Sequence, residues 1–344
     1  MAENTLFSQE YHQAYKYASY YTGKKIMKIF NQLGLFTKTN DWITINEVLN
    51  RINCDYSFVP SVKWALEFVV QEGFIRKNKI EYSLINNKTS IKKPTNFNLK
   101  VSLNTIDFIS KNWLDVVRGN ISPLHLLFRN NNGEIWRTYF GQSNSLYKVH
   151  NEWIANYLSG QKLASNMTIL ELGAGYGSGT REAINKILDK KINYLASDLS
   201  NAMCKFIKDK TSYDYLDTLI VNFDKDIALQ VNNREFDYIL AINALHCSKD
   251  ILATLNSIKK SLKKGGSLIL SECIRDFRSP LMHQEFIFNL LPGYTQKRNN
   301  EYFIQGFYYE DDWINVLKDA GFIDINIDLN SGPKKLGAII KGTI

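Results

Sequence analysis

The residues most capable of chemistry are concentrated in the second half of the chain. A histidine, His246, closes the apolar run FDYILAINAL at residues 236–245, and the chain turns polar directly after it. A glutamate, Glu272, ends another apolar run, SLILSE at 267–272. An imidazole whose tautomer is fixed by a carboxylate is a proton acceptor suited to neutral pH. The competing reading makes His246 a helix cap and Glu272 a solvated strand end. Upstream, Glu171-Leu172-Gly173-Ala174-Gly175-Tyr176-Gly177-Ser178-Gly179 places glycine at alternate positions after the run MTILEL. Glycines there let the backbone turn sharply and approach a ligand closely. A dinucleotide fingerprint would need glycine or alanine at position 178 in this register, where serine stands. The E-x-G-x-G-x-G spacing fits a ligand with an amino-acid tail and no pyrophosphate, with Glu171 near its cationic end.

Two acidic residues fall in step with that loop. Asp198, followed by Leu199, ends the next apolar run and can accept both hydroxyls of a ribose. Phe223-Asp224 closes DTLIVNF and is placed to pack against and hydrogen-bond an adenine. Together the glycine loop, Asp198 and Asp224 outline S-adenosylmethionine, with Asn243 at the fourth strand end as a further contact.

These residues need a sheet to hold them. From residue 167 the pattern alternates strands and helices, which predicts an α/β fold, a Rossmann-like doubly wound sheet. Strands are expected at 167–172, 192–197, 217–223, 236–242 and 267–272. Two more, at 322–329 and 336–342, lie too close together for a crossover and read as an antiparallel pair. Ile251, Leu255, Ile258 and Leu262 share one helical face, which Gly265-Gly266 is expected to end. The first hundred residues read as three helices: Tyr15 to Leu33, one opened by the capping box Thr44-Ile45-Asn46-Glu47, and Val62 to Glu72. FIRKNKIEYSLI follows as a short hairpin, so this mainly helical part is winged-helix-like.

The chain has 344 residues, 44% apolar and 22% charged, ordinary values for a soluble protein of two domains. No apolar run approaches the ~20 residues a bilayer requires, and no secretion signal opens the chain, so the cytoplasm is the expected location. Its four cysteines have no metal-ligand spacing, and no metal site is expected. The net charge of +8 suits nucleic acid, an acidic partner protein or a phosphate-bearing substrate. Abundant lysine and asparagine explain it equally well, and the densest basic stretch, 87–100, reads as a connection.

The span from Leu124 onward resembles class I S-adenosylmethionine-dependent methyltransferases, a fold of seven strands with an antiparallel last hairpin. Within them it is most similar to polyketide synthase C-methyltransferase domains. The matching pieces are LHLLFRNNNGEIWRTYFGQSN (124–144), ILELGAGYGSGT (169–180), NALHCSKDILATLNSIKKSLKKGGSLILSE (243–272) and WINVLKDAGF (313–322). Cys247-Ser248 stand where those domains commonly have alanine-threonine, and Tyr176 where they commonly have threonine. The resemblance implies a His246 base oriented by Glu272, removing a proton from carbon between two carbonyls. It also implies an acceptor carried as a polyketide-like acyl chain or a small molecule, with an acyl carrier protein as partner. Unlike those domains, the sequence shows no neighbouring synthase domains, so the acceptor is expected to be met in trans. O-methyltransferases with winged-helix N-domains place a histidine similarly but follow it with Asp-Trp, which is absent here. O- or N-methylation of a small secondary metabolite is the alternative. Nucleic-acid methylation is disfavoured, since no Asn-Pro-Pro-Tyr or Asp-Pro-Pro-Tyr follows the fourth strand. A ligand-sensing regulator is disfavoured by the intact Glu171, Asp198, His246 and Glu272.

The expected division is a lid or dimerisation domain at 1–123, which makes a homodimer a candidate assembly, and a catalytic domain at 124–344. The catalytic part carries an aromatic-rich insertion at 274–320. Phe286 and Tyr294 there, with Tyr139 and Tyr147 before the sheet, are the candidate acceptor contacts.

Overall fold

The computed structural model describes residues 5–85, 89–128, 133–291, 294–298, 301–304 and 306–344, with only the backbone at 5, 295–298 and 301–304. Residues 87–88 and 129–132 of the quoted stretches, and the side chains of Tyr302 and Phe303, lie outside the described residues.

The amino-terminal part runs α1 (Gln9–Gln32), β1 (Ile43–Thr44), α2 (Ile45–Ile52), α3 (Val59–Gln71), β2 (Ile75–Asn78) and β3 (Glu81–Leu84). Ser8 caps α1, and Gly34 takes the left-handed φ of +69° that ends it. Thr44 and Glu47 form the expected capping box. Helix α3 starts three residues before Val62, because Pro60 suits a first turn. Strands β2 and β3 make the hairpin, with β1 pairing antiparallel on β3. Four helices lead to the sheet: α4 (Lys100–Val117), α5 (Pro123–Phe128), α6 (Gly133–Tyr139) and α7 (Lys148–Ser159).

The α/β part then runs β4 (Thr168–Leu172), α8 (Ser178–Ile187), β5 (Asn193–Asp198), α9 (Asn201–Lys210), β6 (Leu216–Ile220), α10 (Ile227–Gln230), β7 (Phe236–Ile242), α11 (Ile251–Lys260) and β8 (Leu262–Cys273). The insertion contributes α12 (Glu285–Phe288) and a hairpin of β9 (Thr295–Arg298) and β10 (Glu301–Ile304). Helix α13 (Glu310–Asp319) leads to β11 (Ile323–Leu329) and β12 (Gly337–Thr343). The strand order is β11-β12-β8-β7-β4-β5-β6, with β12 antiparallel to both its neighbours. The order reverses between β4 and β7, so a crevice opens at their carboxyl ends.

Alternation within the strands divides the core. Ile169, Leu240, Ile242, Ile269 and Ile339 pack on one face with α1, α4 and α7. Leu170, Ile239, Ala241, Leu268 and Ile340 pack on the other with α11 and α13. One boundary differs from expectation. Helix α11 stops at Lys260, and Leu262 already pairs with Phe236 in β8. The register jumps from Phe236↔Leu262 to Tyr238↔Ser267, so Gly265-Gly266 sit in a bulge inside the strand rather than ending a helix. No helix among the described residues is long and apolar enough to cross a membrane.

The insertion is clamped to the amino-terminal helices. Trp64 of α3 stacks on Phe286 at 6.3 Å, Trp113 of α4 stacks on it at 6.4 Å, and Trp64 Nε1 donates to Glu285 Oε2 at 3.1 Å. Glu285, fully buried, also accepts from the Arg275 guanidinium, which donates in turn to the Phe307 carbonyl. Glu285→Ala would strand the Arg275 charge in the interior and is expected to cost about 3–5 kcal/mol, measured by denaturant unfolding.

Candidate functional site

Strand β4 delivers the chain into Gly173, Gly175 and Gly177, all at positive φ. A Cβ at Gly173 would lie 2.8 Å from the Ala244 Cβ, so glycine is needed there for both its φ and its clearance. The Gly175 N–H donates to Asp198 Oδ2 at 2.9 Å, and the Ser200 N–H donates to Oδ1 at 2.9 Å. Asp198 thereby couples the ends of β4 and β5 and keeps acceptor lone pairs for a ligand. Glu171 is buried and accepts from Thr180 at 2.6 Å and Tyr194 at 2.8 Å. Burial pushes its carboxyl up, and those two hydroxyls pull partly against it.

These groups bound a cavity of about 520 Å³ that Glu171, Gly173, Gly175, Asp198, Leu199 and Asn243 line. Its size suits a nucleoside-bearing ligand. Trp136, Phe140, Tyr147 and Tyr176 cover it. Phe223 and Asp224 do not line it. Strand β6 ends at Ile220, and the Asp224 carboxylate accepts from Ser248 Oγ at 3.3 Å and the Lys249 N–H at 2.9 Å, tying this loop to the one after His246. Gly177 also lies outside the lining and serves instead as the left-handed N-cap of α8.

A second cavity, of about 110 Å³, shares Phe140, Tyr147 and Asn243 with the first. His246 is on its wall. The parallel pairing of Ile242 with Ser271 brings Glu272 beside the turn after β7. There His246 Nδ1 lies 2.6 Å from Glu272 Oε2, while Oε1 accepts from the Ala244 and Leu245 N–H groups at 3.2 and 3.1 Å. Glu272 is fully buried rather than solvated. The Nδ1 bond leaves Nε2 as the nitrogen available to an acceptor. Burial favours the neutral ring, but the Cys247 sulfur and the Glu272 carboxylate outweigh it and raise the His246 pKa well above the ordinary histidine value.

Tyr139, Tyr147 and Tyr294 also line this second cavity, and burial pushes all three phenols up, so they are hydrogen-bond donors rather than bases. Phe286 does not line it. It is core between Trp64 and Trp113, and Phe288, two residues along the single turn of α12, faces the cavity instead. Sequence reasoning missed His150, whose ring lies 3.2 Å from Ser271 Oγ and 3.4 Å from Cys273 Sγ. Burial, then the charge of His246, pushes the His150 pKa down to about 3. It also missed the cover formed by Trp136 and Phe140, although W-x-x-Y-F at 136–140 is a helical aromatic face.

Residues 170–268 match a family model described as a methyltransferase domain. The matched segment lies within the seven-stranded sheet, from β4 into β8. A non-reducing polyketide synthase dpmaA of Metarhizium anisopliae is 24% identical over 229 residues, 62% of this chain and 10% of the relative. The chain thus spans about a tenth of that relative's length. The DszA carbon methyltransferase structure superposes with a TM-score of 0.77 at 18% identity, over 96% of this chain and 90% of that one. The trans-methyltransferase CalH complex with S-adenosylhomocysteine superposes with a TM-score of 0.65 at 16% identity, over all of this chain and 92% of that one. Both show that the fold extends beyond the methyltransferase domain to the amino-terminal helices.

Replacing Asp198 by alanine removes a hydrogen-bond acceptor from the larger cavity. Isothermal titration is expected to show S-adenosylhomocysteine binding weakened by about ten- to a hundredfold, the worth of one or two such hydrogen bonds.

Proposed function

We propose that this chain transfers a methyl group to carbon, on an acceptor whose acidic carbon lies between two carbonyls. The acceptor class is a polyketide-like acyl chain, carrier-bound or free. The observation that carries this reading is the buried His246–Glu272 bond on the wall of a cavity adjoining the donor cavity. S-adenosylmethionine supplies an electrophilic methyl group when bound. Glu171, the Gly173–Gly177 loop and Asp198 hold and orient it from the carboxyl ends of β4 and β5. His246 Nε2 takes the proton from the acceptor carbon, and Glu272 fixes the ring tautomer and stabilises the resulting imidazolium. In this reading Asn243 and Tyr147 donate to the oxygens of the enolate, which their position on the wall of both cavities supports. The aromatic cover keeps water from the two reacting groups.

In this proposal residues 1–123 shape the acceptor side, and an acyl carrier protein is the natural partner for a chain of net charge +8. The three helices and hairpin at 9–84 favour a second reading, an oxygen acceptor on a small molecule. The methyl position in the product, read by carbon-13 NMR, separates the two.

Two outcomes test the roles. His246→Ala is expected to lower turnover by roughly 10²–10⁴-fold with S-adenosylhomocysteine affinity nearly unchanged; near-normal turnover removes His246 from the mechanism. A raised pKa means the ring is protonated at low pH and must lose that proton before acting. So kcat/KM is expected to rise with pH, with its midpoint above the ordinary histidine value of about 6.5. In Glu272→Gln, which removes one raising charge, the midpoint should move down.

A further inference from the structure

Among the described residues, nine buried side-chain polar atoms have no hydrogen-bond partner. Three of them, Asn243 Nδ2, His283 Nδ1 and the Tyr294 hydroxyl, belong to residues on the wall of the small cavity beside His246. Unmade buried hydrogen bonds are costly and rare, and a cluster of them around one cavity points to a ligand rich in polar atoms.

The three divide by position. Asn243 adjoins the donor cavity, its φ is +46°, and its Oδ1 accepts from the Cys273 N–H at 2.6 Å, which leaves Nδ2 as a donor only. Together with Tyr147 it suffices for the two oxygens that flank the reacting carbon. His283 and Tyr294 come from the 274–320 insertion and are left over. His283 is 3% exposed, and the Tyr15 ring of α1 packs edge-on against it at 4.7 Å. Burial, with the Lys334 charge adding to it, pushes the His283 pKa down to about 3, so the ring is neutral and offers one donor and one acceptor. The dicarbonyl unit has no oxygen left for either group.

Resting on the carbon-methylation reading, we propose that His283, with Tyr294, forms a specificity subsite for a third oxygen on the acyl chain, beyond the β-carbonyl. The preferred acceptor is then a chain already extended and oxygenated, rather than a simple β-keto acyl group.

The test compares the N-acetylcysteamine thioesters of 5-hydroxy-3-oxohexanoate and 3-oxohexanoate, which differ by one hydroxyl. The wild-type chain is expected to methylate both, with kcat/KM at least about tenfold higher for the hydroxylated chain, the effect of one well-made hydrogen bond. In His283→Phe that ratio should fall toward one. Tyr294→Phe, which removes a single oxygen atom, should lower it as well and serves if the histidine variant does not fold. Equal wild-type values, or a preference that survives both substitutions, overturn the subsite while leaving carbon methylation standing. No transfer to either thioester overturns the carbon-methylation reading and the subsite with it.

Discussion

One buried carboxylate organises the reactive end of this sheet. Glu272 holds the His246 ring through one oxygen and the Ala244 and Leu245 N–H groups through the other. It can do so because β8 runs parallel to β7 in a register that sets Ser271 beside Ile242. Strand β12 then covers β8 on its other side, pairing Ala338 with Glu272 and keeping the carboxylate dry. The same turn brings Ala244 close to Gly173, so the glycine loop and the histidine turn are shaped against each other. The glycine loop and the His246–Glu272 pair are in this sense one construction.

Burial sorts the titratable groups around that construction. A charge removed from water survives only with a partner close by. His246 has Glu272 and is pushed toward its protonated form, whereas His150 and His283 have no such carboxylate and are held neutral. The tyrosines stay phenols for the same reason. A cavity wall of many polar side chains thus contains a single strong base candidate, surrounded by neutral donors.

Much of this was legible in the chain because local rules and tertiary structure agree. The capping box at Thr44, the glycine spacing after β4 and the alternating strands each carry their own signal. His246 and Glu272 could be paired because the resemblance to a seven-stranded methyltransferase sheet implies it. Alternation alone does not, since β6 and β7 are consecutive in the chain and not neighbours in the sheet. The failures are equally physical. Phe286 and Phe288 are two aromatic residues two positions apart, and only the direction in which α12 presents them decides which is core and which is wall. For Phe223-Asp224 the expected strand at 217–223 is shorter than drawn: β6 ends at Ile220, Phe223 lies beside the Gly173 position, and the Asp224 carboxylate accepts from the Lys249 N–H. Gly265-Gly266 reads as a helix stop yet forms a bulge, because strand pairing at Leu262 outweighs the local signal. His150 carried no sequence signal, since a lone histidine on a helix face is ordinary core until the sheet is built beneath it.

The proton step is reached most directly without any methyl transfer. With S-adenosylhomocysteine in the donor cavity, a β-keto thioester incubated in deuterium oxide should exchange its C2 hydrogen faster with the wild-type chain than in buffer. NMR would follow the loss of that signal, and His246→Ala should return the rate to background. Exchange that stays at the buffer rate with the wild-type chain, or persists unchanged without His246, would contradict a carbon acid deprotonated by this histidine.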